Sequence, residues 1–142
     1  VIMALQPLQQ SYVFHGFHAP IIQFQRPGLA YQGSSALASP VIYSLLDFAQ
    51  DNSREIRWSG NFVLEQDGTV NALRFITKNI LTVMPEQSAS IDWLIDYLVL
   101  PLATPLEGSS GDVLSVSFDY MTGGSIRSLQ QSLCTTLAAA CK

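Results

Sequence analysis

The chain has 142 residues, of which 48% are hydrophobic and 13% charged, with a net charge of −4. That balance excludes a disordered polymer and fits one domain large enough to bury a hydrophobic core. Arg26, Arg54, Arg57, Arg74, Lys78, Arg127 and Lys142 are scattered and form no basic run or stripe, which argues against binding to nucleic acid or to an anionic membrane surface.

No apolar stretch approaches the roughly 18 residues that would span a bilayer as a helix. The longest, residues 94–106, is interrupted by Asp96, Pro101 and Pro105. The chain opens on Val1 and not on methionine, so a processed or excised fragment is the expectation. Cys134 and Cys141 are the two cysteines, both near the C-terminal end. A disulfide framework would distribute its pairs, so two ordinary thiols in a reducing, cytoplasmic compartment are expected.

In chain order, the first forty residues lack regular periodicity. Pro7, Pro20, Pro27, Gly28, Gly33 and Pro40 punctuate them, and short extended pieces such as residues 20–25 fit best. Residues 41–48 form an apolar run of strand formers. Ile56, Trp58, Phe62 and Leu64 then recur on alternate positions, with Gly60 in the remaining slot; a glycine inside a strand marks a bulge or a close backbone approach. Asp67-Gly68 signals a hairpin turn, with residues 70–81 as the return strand and Leu73 and Phe75 on one face.

Residues 85–90 read as a loop. Residues 93–100 read as a buried strand closed by Pro101, and Gly108-Ser109-Ser110-Gly111 as a connection. Leu114, Val116, Phe118 and Tyr120 alternate with Ser115, Ser117 and Asp119, the pattern of a strand with one dry and one wet face. Gly123-Gly124 turns the chain. Beyond it, Ile126, Leu129, Leu133 and Leu137 fit a helix, while Leu129, Leu133 and Leu137 also share one strand face. Both readings stay open for 126–140. The fold expected is mainly β: an antiparallel barrel or sandwich-like single domain over 1–142, with an irregular opening segment 1–40, regular strands over 41–137 and room for a short C-terminal helix.

Nothing in the sequence assembles a reactive centre. His15 and His18 are two ligands at most, too few for a metal site. Cys134 and Cys141 have no adjacent base, and Ser109, Ser110, Ser125, Ser128 and Ser132 have no nucleophile elbow. Asp92, Asp96, Asp112 and Asp119 would need spatial proximity to act as a pair. The glycine-rich stretches lack the strand-to-helix context of a phosphate loop. Trp58 and Trp93 suit core packing or a binding platform.

The order of several motifs resembles the C-terminal barrel of the protein arginine methyltransferases. They are Glu55-Ile56-Arg57-Trp58-Ser59-Gly60-Asn61-Phe62, Asp67-Gly68, Val70-Asn71-Ala72-Leu73-Arg74-Phe75, Asp92-Trp93, Pro101-Leu102, Gly111-Asp112-Val113-Leu114 and Val116-Ser117-Phe118. Phe14-His15-Gly16-Phe17 and residues 37–47 fall where that family begins its barrel. The resemblance implies an accessory domain, not catalytic alone, that forms one wall of a substrate cleft and holds an N-terminal catalytic domain, with homodimerisation as a further role. It places S-adenosylmethionine in that catalytic domain and no cofactor in this chain. Asp92 and Trp93 are the implied cleft residues. Where the family has Thr-His-Trp, this chain has Ile91-Asp92-Trp93, so only Trp93 matches, and support for arginine as the substrate is withdrawn. Two rivals stand beside this reading: a free-standing β-sandwich binding a ligand or protein through Trp58 or Tyr120, and an enzyme whose site joins His15 or His18 to Cys134 or to carboxylates.

Overall fold

The structure, a computed structural model, describes residues 2–6, 13–14, 17–18, 23–25, 35–87, 89–94 and 96–140, with side chains described from Ser35 onward except those of Gln87, Asp92 and Leu94. It is mainly β and antiparallel, built as two facing sheets that do not close into a barrel. The three-stranded sheet has the order β12 (Cys134–Ala138), β11 (Val113–Met121), β6 (Glu55–Val63). The five-stranded sheet has the order β4 (Gln23–Gln25), β10 (Tyr97–Gly108), β7 (Gly68–Phe75), β1 (Ile2–Gln6), β5 (Ser35–Ala36). β2 (Val13–Phe14) pairs with β3 (Phe17–His18), and β8 (Lys78–Met84) with β9 (Ala89–Leu94).

Alternation explains the three-stranded sheet. Leu114, Val116 and Phe118 of β11 are buried while Ser115, Ser117 and Asp119 turn away. Ile56, Trp58 and Phe62 line the same face of β6. Across from them, Leu73 and Phe75 of β7 and Leu100 and Leu102 of β10 complete the core. Burying each such side chain contributes about 1.5–3 kcal/mol. An aromatic cluster joins the sheets: Phe75 meets Phe118 edge-on at 5.5 Å, and Tyr43 meets Phe75 at 5.8 Å and Phe118 at 5.6 Å. Trp58 lies 5.7 Å from Phe118. Gly60 is a close-approach site and not a bulge, because its pairing with β11 is unbroken. A Cβ there would stand 2.3 Å from Trp58 Cζ2.

β7 is buried on both faces. Its second face carries Ala72 and Arg74, opposite Pro101 and Val99 of β10. Arg74 is 1% exposed, and its guanidinium carbon lies 5.4 Å from the centre of the Tyr97 ring, within cation–π range.

Several local expectations are corrected. Asp67-Gly68 does not close a hairpin between β6 and β7, which lie in different sheets. Gly68 lacks the positive φ that a two-residue type I′ turn requires. Instead the chain crosses between the layers at Leu64 and Glu65. The Leu64 N–H donates to Asp112 O at 2.8 Å, and the Glu65 N–H donates to Leu37 O at 2.8 Å. The Ser110 N–H donates to Asp67 Oδ1 at 2.7 Å, pinning this crossing to the next turn.

The return strand expected over 70–81 divides at Ile76-Thr77 into β7 and β8. The strand expected over 93–100 divides likewise: Trp93 belongs to β9, whereas β10 runs through Pro101 and Pro105 with a register shift between Pro101 and Leu106. Among the described residues the opening forty hold five short strands, and β4 falls within the extended piece expected over 20–25. Residues 42–54 contain no strand; Val41 and Tyr43 pack on the core while Ile42, Leu45 and Phe48 face out. Both C-terminal readings hold in succession. Helix α1 (Ile126–Ser132) is N-capped by Ser125, which accepts from the Arg127 N–H, and β12 follows, paired with β11.

Two outcomes follow. Gly60→Ala should lower unfolding stability in urea by about 1–3 kcal/mol through overpacking, and the loss should shrink when Trp58→Ala is already present. Burial first, and then neighbouring Tyr120, push the Tyr43 phenol above its ordinary value. The fold therefore favours the neutral ring, and this contribution is present below a pH of about 10 and lost as the pH climbs through the raised value. Urea titrations at rising alkaline pH should show a smaller stability loss for Tyr43→Phe than for the wild type.

Candidate functional site

The β7–β10 ladder ends at Phe75 opposite Leu98, and a second ladder begins almost at once with Lys78 opposite Leu94. The β8–β9 hairpin is therefore a distal continuation of two core strands, and among the described strands each of its two pairs only with the other. Its far end is a 3-10 turn, Pro85–Gln87.

Register assigns the hairpin's faces. Trp93 lies opposite Asn79 and Ile91 opposite Thr82 on one face; Ile80 opposite Asp92 and Val83 opposite Ser90 form the other. Leu81 falls in the irregularity between Ile80 and Thr82. Ile80, Leu81, Val83, Ile91 and Trp93 are all exposed, Trp93 at 65%. The alternation that gives β11 a wet face is thus missing, since apolar side chains project from both sides. A two-stranded ribbon is at best marginally stable in water, and clustered exposed apolar side chains mark interaction sites.

Residues 41–48 add to the surface near the hairpin's base. Tyr43 anchors this segment against Phe75, the residue from which the chain leaves for β8. On either side of that anchor Ile42, Leu45 and Phe48 are exposed, Phe48 at 88%. Asp47 and Asn52 hold the following turn: Asn52 Nδ2 donates to Asp47 O at 2.7 Å, and the Ala49 N–H donates to Asp47 Oδ1 at 2.9 Å. The polar turn is ordered locally and leaves the apolar residues outward.

Of the two cleft residues expected from sequence, Trp93 is an exposed side chain near the base of this hairpin. Asp92 is its neighbour in β9, paired with Ile80; the Asp92 side chain lies outside the described set. His15 and Cys141 lie outside the described residues, as does the His18 side chain. Cys134 is an exposed free thiol at the start of β12.

The remaining candidates have structural work. Asp112 accepts from the Ser109 and Ala140 N–H groups at 2.9 and 3.0 Å, fastening a turn. Asp119 pairs with Arg57 at 3.1 Å, and Arg57 also meets Glu55 at 2.6 Å; these bonds, Glu55 first, push the guanidinium's pKa further up. Ser128 and Ser132 donate back into α1. Trp58 and Tyr120 are half-buried and pack against the core. Shallow depressions of about 370 and 390 Å³ lie across the strands of the small sheet, lined by residues such as Ser59, Ser117 and Asp119. Among the described residues no group of three or more His, Cys, Asp or Glu could hold a metal, and no helix is long and apolar enough to cross a membrane.

The sequence matches no known protein family and no characterised protein. The functional reading therefore rests on the hairpin itself. Val83→Ser and Trp93→Ser should each change unfolding stability by less than about 0.5 kcal/mol, whereas Leu100→Ala in the core should cost about 2–5 kcal/mol. Urea denaturation of the three variants separates a surface kept for contact from one kept for folding.

Proposed function

We propose that the chain is the accessory β domain of a methyltransferase-like protein, acting in the cytoplasm. On this reading it lacks independent catalytic activity, docks on an N-terminal catalytic domain that binds S-adenosylmethionine, and supplies one wall of the substrate cleft. The observation that carries the reading is the β8–β9 hairpin, apolar on both faces, with Trp93 exposed where the resemblance to arginine methyltransferase barrels puts a cleft residue. A ribbon of that kind suits insertion between two surfaces, one belonging to the partner domain and one to the substrate.

Physical chemistry divides the labour. Ile80 and Val83 on one face, with Leu81 at the bulge, offer area for docking, where non-directional burial dominates. Trp93 offers a large ring that is apolar over its body and polar at its edge, suited to bordering a cleft that is dry on one side. Asp92 adjoins it in sequence, and a carboxylate in such a cleft would favour a cationic group on the substrate. The exposed free thiol of Cys134 accords with a reducing compartment.

The reading is tested in two stages. The reading frame that encodes this chain should continue upstream into a strand, a glycine-rich loop and a helix. In that longer protein, Trp93→Ala should lower kcat/KM for methyl transfer by about tenfold or more while leaving the affinity for S-adenosylmethionine unchanged. A reading frame without such a segment would favour the free-standing binding module, and unaltered methyl transfer in the Trp93 variant would remove the hairpin from the cleft.

A further inference from the structure

β6 is an edge strand, and its hydrogen-bonding pattern defines which backbone groups it leaves over. In the ladder with β11, Leu64 just past the strand donates to Asp112 O and accepts from the Gly111 N–H, while Arg54 O just before it accepts from the Thr122 N–H. The even-numbered residues therefore turn their backbone groups to β11, and the odd-numbered ones turn theirs outward. Glu55 is closed off, because the Ser53 hydroxyl donates to its carbonyl at 3.0 Å and accepts from its N–H at 3.1 Å. Arg57, Ser59, Asn61 and Val63 remain, and none of their N–H or C=O groups has a backbone partner on the outer side among the described residues.

Edges in soluble proteins are commonly blunted by proline, by a bulge or by a long charged side chain laid over them. β6 has no proline, and its register is continuous from Glu55 to Val63. Its one long cation, Arg57, is drawn back across β11 by Asp119. The edge is thus an open template for an extended backbone.

We infer that this edge pairs with the same edge of a second copy, antiparallel about a two-fold axis at Gly60. The open stretch is its own complement. With Gly60 facing its counterpart, Arg57 stands opposite Val63 of the other copy and Ser59 opposite Asn61, and every outward N–H and C=O of these residues gains a partner. Within residues 57–63 no like charges meet, whereas an axis at Arg57 would set guanidinium against guanidinium, a destabilising arrangement. On the inner face Trp58 stands opposite Phe62 of the other copy. The half-buried Trp58 ring at the margin of the sandwich thereby gains an aromatic neighbour, and the two cores join along one six-stranded sheet. The interface is isologous, as closed two-fold dimers require.

The test is register-specific and is made on the full chain carrying Val83→Ser and Trp93→Ser, so that the apolar hairpin does not contribute. Sedimentation equilibrium should give twice the chain mass, dissociating on dilution. Ser59→Lys with Asn61→Lys sets lysines opposite each other and should give monomer with unchanged circular dichroism. Ser59→Lys with Asn61→Glu sets opposite charges together and should restore the dimer. Ser59→Pro deletes an outward N–H without touching the β11 ladder and should also give monomer. A chain that stays monomeric up to about 1 mM, a dimer indifferent to the Lys/Lys pair, or a loss that the Lys/Glu pair does not repair would overturn the pairing.

Discussion

The fold depends on two sheets burying one apolar core between them, and an aromatic contact ties the sheets together within it. Phe75 ends the buried part of β7, Phe118 lies midway along β11, and their rings meet edge-on at 5.5 Å. Such a geometry sets the positive edge of one ring against the negative face of the other and adds to the area that both bury. Tyr43 closes the open side of this pair, and Trp58 extends it toward β6. The glycine at position 60 exists for that extension, since any side chain there would meet the Trp58 ring. Each ring comes from a different segment, so this one cluster fixes where the small sheet, the large sheet and the 41–54 connection stand relative to one another.

The same contact fixes the root of the hairpin. The β7–β10 ladder ends at Phe75 opposite Leu98, and the β8–β9 ladder takes up from Lys78 opposite Leu94, each with one register shift along its length. Inside the sandwich β7 is buried on both faces, and beyond Phe75 the chain leaves the core while apolar side chains still project from both faces, interspersed with Lys78, Asn79, Thr82 and Ser90. Continuity of composition across a change of environment sets the hairpin apart from β11, whose outer face changes to serine and aspartate where water begins. On the proposed reading, the rigid pair of core strands delivers Trp93 to a partner domain at a fixed distance from the sandwich.

How much of this was legible in the sequence depends on whether a residue's environment is set locally. The β6 and β11 patterns read correctly because each strand has one dry and one wet face, which alternation encodes directly. Leu73 and Phe75 mark one face of β7 because they are visibly apolar; Arg74 looks solvated in sequence, yet it is buried between β1 and β10 with the ring of Tyr97, far away in the chain, beside its guanidinium. The Asp67-Gly68 signal failed for a related reason. The pair is turn chemistry in isolation, but Ser110 holds Asp67 and commits the chain to crossing between sheets. Residues 41–48 satisfy strand propensity and yet only Val41 makes a bridge, with Val41 and Tyr43 packed on the core and Ile42, Leu45 and Phe48 facing out. At the candidate site, Trp93 suits core packing or a platform by sequence, and its exposure separates the two. The apolar character of the hairpin around it is not legible, because Ile80, Leu81 and Val83 look the same in sequence whether they face a core or water.

Two features of the surface remain incomplete in chemically different ways, and the difference constrains what can complete them. The hairpin offers exposed apolar side chains on both faces of its ribbon, so it can accept a surface of matching shape, including a folded domain. The outer edge of β6 offers backbone groups with small side chains between them, so it accepts only an extended strand, and its length and charge pattern narrow that strand further. A single partner would have to present both a shaped apolar groove and a free strand at the correct separation. Two independent partners need no such coincidence. On the proposed readings the roles are separate, with the hairpin directed at a domain of other sequence and the β6 edge at an identical one, so that engagement of one surface leaves the other available.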